Sequence, residues 1–153
     1  MLKFKFFHTA SDTFCVVKDK HDMDATACAS CRPEDLDMHT NLTGEQIAYL
    51  KATEKYYHKK AIQTKKEIKK INDLRIYLFP NKFFSDKVSK DTQCGVKMVQ
   101  DRMNKKLNTY EELYDKYRRL ELESALAIKS YVMNKNFLFK KIREKQKNRK
   151  GTK

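Results

Sequence analysis

The sequence predicts a mainly α-helical protein: a long antiparallel helical hairpin of the coiled-coil type, with a small N-terminal β-hairpin/Cys module and a basic C-terminal tail. Three observations predict this. The 153 residues include only 3 Gly and 2 Pro, too few turn formers for a fold of many short elements. Two long stretches carry apolar residues at heptad spacing, which favours paired helices. The segment 134–153 holds 9 Lys/Arg against 1 Asp/Glu, a composition that favours a solvated extension over a core.

The expected organisation is a β-hairpin/Cys module over 1–40, a helical hairpin over 41–133 and a basic extension over 134–153. In the first part, LKFKFFH (2–8) and TFCVVK (13–18) are rich in aromatic and β-branched residues and flank the short polar link ASD. That pattern predicts a two-stranded hairpin, which is marginal in water unless it docks on something or is clipped by a metal. Pro33 followed by EDLDM predicts one helical turn with Pro at its first position.

Thr43 and Gln46 have capping-box spacing, and Leu42 and Ile47 occupy the hydrophobic-staple positions, so a helix is expected to start at Gly44. Its heptad places Ile47, Ala61 and Ile68 at one core site and Leu50, Tyr57, Ile71 and Leu78 at the other. The helix should stop before Pro80, because a residue preceding Pro is pushed out of the helical region. In the link that follows, Phe79, Phe83 and Phe84 are expected to cap the end of the hairpin. A second heptad runs through Val96, Met103, Tyr110, Tyr117 and Tyr131, alternating with Val99, Leu113, Leu120 and Ala127. Asn108-Thr109 with Glu112 is a second capping-box pattern that could divide this helix. The heptad keeps its phase across that point, which predicts one continuous helix to about Lys145. The same heptads would also support self-association.

Net charge is +14 at neutral pH, distributed as −2 over 1–40, +8 over 41–133 and +8 over 134–153. A basic body with a basic tail attracts polyanions: nucleic acid or ribonucleoprotein first, an acidic protein assembly second, an anionic membrane surface third. The candidate contacts in the tail are Lys140, Lys141, Arg143, Lys145, Lys147, Arg149 and Lys150, dense enough to release counterions from phosphates or to serve as a nuclear-import segment. On the first helix, Lys55, Lys59, Lys66 and Lys70 recur at spacings of four, seven and four residues, extended by Lys51, and so share one face. Both sets also read as solvated surface. The tyrosines beside the seam could stack bases, but their heptad positions favour core packing.

Cys15, Cys28 and Cys31 have the spacing C-x12-C-x2-C, with His39 downstream, and His21 and His8 near. Two thiolates two residues apart can grip one zinc ion, and a third Cys and a His would complete a tetrahedron. The set Cys15, Cys28, Cys31 and His39 is therefore a candidate for a structural zinc, which would staple an otherwise marginal module. The opposing reading is buried free cysteines acting as small hydrophobes. A redox role for Cys28 and Cys31 lacks the strand-then-helix setting that such a pair requires. Cys94 reads as a packing residue. No Gly-rich phosphate loop, Ser/His/Asp set or paired acid site is visible, so an enzyme and an organic cofactor are not expected. No stretch is apolar enough for a transmembrane helix, and the N-terminal residues lack a signal peptide's apolar core. Four Cys without a secretory signal are expected to be reduced, in an intracellular protein of nucleus or cytoplasm.

Overall fold

The computed structural model describes residues 1–151 except 22, 37, 39 and 80–89. It is mainly helical, with a small antiparallel sheet at the N-terminus. Strands β1 (Lys3–His8), β2 (Asp12–Lys18) and β3 (Asp24–Ser30) are followed by a 3-10 turn at Pro33–Asp35 and by two helices, α1 (Asn41–Leu78) and α2 (Lys90–Lys150). By packing, the chain forms two compact units. One comprises 1–57 with 120–153, and the other comprises 58–119.

The sheet is an antiparallel meander in the order β1-β2-β3, one strand more than the hairpin expected. Phe14 pairs with both Phe7 and Cys28, and Val17 with both Phe4 and Ala25. Alternation along each strand sends Thr13, Cys15 and Val17 of β2 and Ala25, Ala27 and Ala29 of β3 to one face, where all six are buried. That face is covered by Ala48, Ala52 and Tyr56 of α1, with Leu2, Phe4, Met23, Ile47 and Tyr57 packed around the core. Alanine on both the strand and the helix lets the two backbones approach closely. This is the docking that a small sheet needs for stability.

The side chain of Asp19 organises the β2–β3 link. Its Oδ1 accepts from the N–H groups of His21 (2.8 Å) and Met23 (3.0 Å), and its Oδ2 accepts from the Tyr56 hydroxyl at 2.9 Å. The outer edge of β3 is covered by lysines. Lys51 Nζ donates to the Cys28 carbonyl and Lys55 Nζ to the Thr26 carbonyl, each at 3.2 Å. Charged side chains on an edge strand suppress pairing with another chain.

Helix α1 begins three residues before the expected Gly44. Thr40, not Thr43, is the cap: its hydroxyl accepts from the Thr43 N–H at 3.2 Å, and its carbonyl accepts the first helical bond from Gly44 at 3.2 Å. The helix ends at Leu78, as Pro80 requires. In its first turns α1 lays Ala48, Ala52 and Tyr56 on the sheet, a different stripe from the Ile47/Leu50 seam. Phe83 and Phe84, expected to cap the hairpin, lie outside the described residues.

Helix α2 runs unbroken through Asn108-Thr109. The Thr109 hydroxyl donates back to the Lys105 carbonyl at 3.0 Å, so it serves the helix interior rather than a new N-terminus. The helix reaches Lys150, five residues beyond the expected limit. In the unit 58–119, Ala61, Thr64 and Leu107 are buried, and Arg75 Nη1 donates to Asn104 Oδ1 at 3.3 Å. Among the described residues no helix is long and apolar enough to cross a membrane.

Candidate nucleic-acid interface

The last turns of α2 belong to the same compact unit as the sheet, and one side chain ties them to it. The 3-10 turn, closed by Asp35 N–H to the Arg32 carbonyl at 2.9 Å, presents a nearly buried Asp35. Arg143 Nη2 forms an ion pair with the Asp35 carboxylate and donates to the Glu34 carbonyl at 2.9 Å. Arginine suits this role because its planar fork serves a carboxylate and a carbonyl together. Beside it, Lys135 and Phe139 close a small cleft with Cys31, Asp35 and Gly44. Arg143 is therefore half-buried and structural, not an open phosphate contact.

The six other candidates in the tail, Lys140, Lys141, Lys145, Lys147, Arg149 and Lys150, are all exposed. The Lys141 ammonium lies 4.5 Å from the centre of the Phe137 ring, which orients it without neutralising it. The helix expected to about Lys145 continues to Lys150, so the cations beyond residue 145 are also carried at fixed intervals. The Arg143–Asp35 pair and the cations in the last turn, which complement the helix dipole, both favour this extension.

The lysines of α1 have mixed roles. Lys55 is bound to the β3 edge. Lys70 pairs with Glu67 at 2.8 Å, and that hydrogen bond and charge hold its pKa above the usual lysine value. Lys59 and Lys66 are exposed.

The structure does not bring the proposed zinc ligands together. Cys15 pairs with Ala27 and Cys28 with Phe14, so the two thiols point to opposite faces of the sheet. The Cys28 thiol lies 3.7 Å from the Ser30 hydroxyl, and the Cys31 thiol donates to the Arg32 carbonyl. His39 lies outside the described residues. His8 is held between the Thr13 hydroxyl (3.3 Å) and Glu45 (2.8 Å). Among the described residues no group of three or more His, Cys, Asp or Glu is arranged to hold a metal.

Burial pushes the Cys15 thiol up to about 11. At pH 8 its thiolate fraction is then about 10⁻³, and the thiolate is the reactive form. In a thiol-labelling time course at pH 8, exposed Cys94 is expected to react first and Cys15 only after unfolding. The same shift has a stability consequence. The unfolded chain loses this proton above its ordinary value of 9.0 while the folded chain keeps it to about 11. Cys15 therefore stabilises the fold fully below pH 9 and progressively less as the pH rises through that window.

Compared with known proteins, the chain matches no family model, no curated protein and no solved structure.

Proposed function

We propose that this protein is a non-enzymatic basic helical scaffold that binds nucleic acid or a ribonucleoprotein through phosphate contacts made by the end of α2. One observation supports this reading above the others: six exposed cations follow one another along a helix that stays ordered to Lys150. At about 1.5 Å per residue they span about 15 Å. At 100° per residue they project on several sides, with Lys140 and Lys147 on one and Lys145 and Arg149 on another. A helix lying in a nucleic-acid groove meets phosphates on both flanks, so cations on several of its sides can take part. Lysine to phosphate carries no base information, so the binding is tolerant of sequence.

In this reading the helices of the unit 58–119 are the two arms of an antiparallel coiled-coil hairpin. Arg75 bonds to Asn104, and Tyr110 lies close enough to Lys70 to act on its charge. These pairs advance along one helix as they retreat along the other, which supports an antiparallel reading.

A second reading, docking on an acidic protein surface within a larger assembly, is favoured by the large apolar side chains left exposed on α2. Phosphates have no use for them. The two are separated by fluorescence anisotropy of labelled RNA and duplex DNA of equal length in a salt series, with polyglutamate as competitor. Nucleic-acid binding that weakens steeply between about 50 and about 200 mM salt and resists polyglutamate supports the first reading. Absence of binding at the lowest salt removes it.

A further inference from the structure

Helix α2 carries a second apolar stripe that the fold does not use. Leu122, Leu126, Met133 and Phe137 are 61%, 57%, 62% and 58% exposed. On a helix of 3.6 residues per turn the four fall within an arc of about 60°. Buried Ser124 lies on the opposite side, and Arg143, which pairs with Asp35, lies about 90° from the centre of the stripe. Four large side chains left in water along one line mark a contact surface rather than scattered surface residues.

We propose that this stripe is a docking seam for an acidic amphipathic helix of another protein. The charge around it selects that occupant. Over 122–141, which holds the stripe, there are 4 Lys and 1 acid, Glu123, and Lys129, Lys140 and Lys141 border the stripe. A partner helix whose apolar seam is edged with Asp and Glu satisfies both the apolar line and its cationic rim. A second copy of this chain is a poor fit, because Lys129, midway along the stripe, would face its own counterpart in either two-fold arrangement. A membrane surface is also a poor fit. The stripe is narrow, is interrupted by Lys129 and is followed by Lys140, whereas an interfacial helix buries a broad apolar face. This inference rests on the second reading above; it shares Lys140 and Lys141 with the phosphate-binding reading, but its apolar residues contribute nothing to phosphate contacts.

The test uses the full chain and a synthetic helical peptide with leucines at alternating three- and four-residue spacing and glutamates on both flanks. Titration followed by fluorescence is expected to show a micromolar complex, weakened at least tenfold by the double substitution Leu126→Ser and Met133→Ser. Both positions are exposed, so circular dichroism and thermal melting of the variant should match the parent. Its affinity for RNA should also match, which separates this seam from the basic end. No complex at millimolar peptide, or one indifferent to the double substitution, overturns the proposal. So does a concentration-dependent dimer in sedimentation equilibrium that the substitution abolishes, since the occupant is then a second copy. Binding to vesicles of mixed neutral and anionic lipid that the same substitution abolishes overturns it in favour of a membrane.

Discussion

Replacing Lys140, Lys141, Lys145, Lys147, Arg149 and Lys150 together by Gln is expected to remove nearly all nucleic-acid binding at moderate salt. Each cation that neutralises a phosphate releases a condensed counterion, and six such contacts make affinity fall about 10³-fold between about 50 and about 200 mM salt. The parent chain should therefore show a slope of log affinity against log salt near −5 on duplex DNA, and about −4 on single strands. The substituted chain should have a slope near zero and lose about three orders of magnitude at low salt. Glutamine is the right replacement because it preserves helix propensity. Arg143 is left in place. Truncation before residue 134 would be a poorer test, since it also deletes the side chain that pairs with Asp35. A slope that stays steep in the substituted chain would assign the phosphate contacts to another surface.

The second large effect concerns stability. Arg143→Met leaves the Asp35 carboxylate, whose side chain is 6% exposed, without its cation, and leaves the Glu34 carbonyl without a donor. Breaking a fully buried ion pair by removing one member costs about 3–5 kcal/mol. Here the Arg143 side chain is 40% exposed and water partly replaces it, so a loss of about 2 kcal/mol is expected. Urea unfolding should show a lower midpoint with an unchanged slope. Adding Asp35→Asn should recover about 1 kcal/mol, because the buried group is then neutral. Hydrogen exchange along 134–150 should also accelerate in Arg143→Met, since this contact ties the end of α2 to the sheet-containing unit. An unchanged midpoint would mean that the helix end is ordered by something else.

Features set by local chemistry were legible in the sequence. Pro80 stops α1 because of its ring, and no tertiary contact is needed to know it. The heptad phase across Asn108-Thr109 predicted the continuity of α2, and the Thr109 hydroxyl agrees by bonding within the helix. The aromatic and β-branched residues of TFCVVK marked β2. Strand β3 was missed because ATACA has a single β-branched residue, Thr26, and alanine has low strand propensity. Its alternating small residues become a strand signal only once Ala48 and Ala52 are known to lie against them. The α1 cap was misplaced because Thr40 and Thr43 both have the chemistry of a cap.

The cysteine arrangement was beyond the sequence for a related reason. The spacing C-x12-C-x2-C does not say that residues 15 and 28 fall in adjacent strands with opposite side-chain directions, since that depends on the β2–β3 register. Arg143 could not be told apart from its neighbours in the basic run, because its partner lies 108 residues away. Charge density was legible, but not which cation is structural. The outward stripe of α2 had a weak signal: Leu122, Leu126, Met133 and Phe137 fall outside the heptad assigned to the seam.

The most direct test of the central claim is an amide NMR map of the full chain titrated with a short duplex or RNA at low salt, a tractable experiment at 18.2 kDa. The account predicts perturbations concentrated in 134–150, reversed by added salt, with the β1–β3 amides unmoved. Binding that shifts the α1 amides around Lys55, Lys59, Lys66 and Lys70 while 134–150 stays still would contradict it.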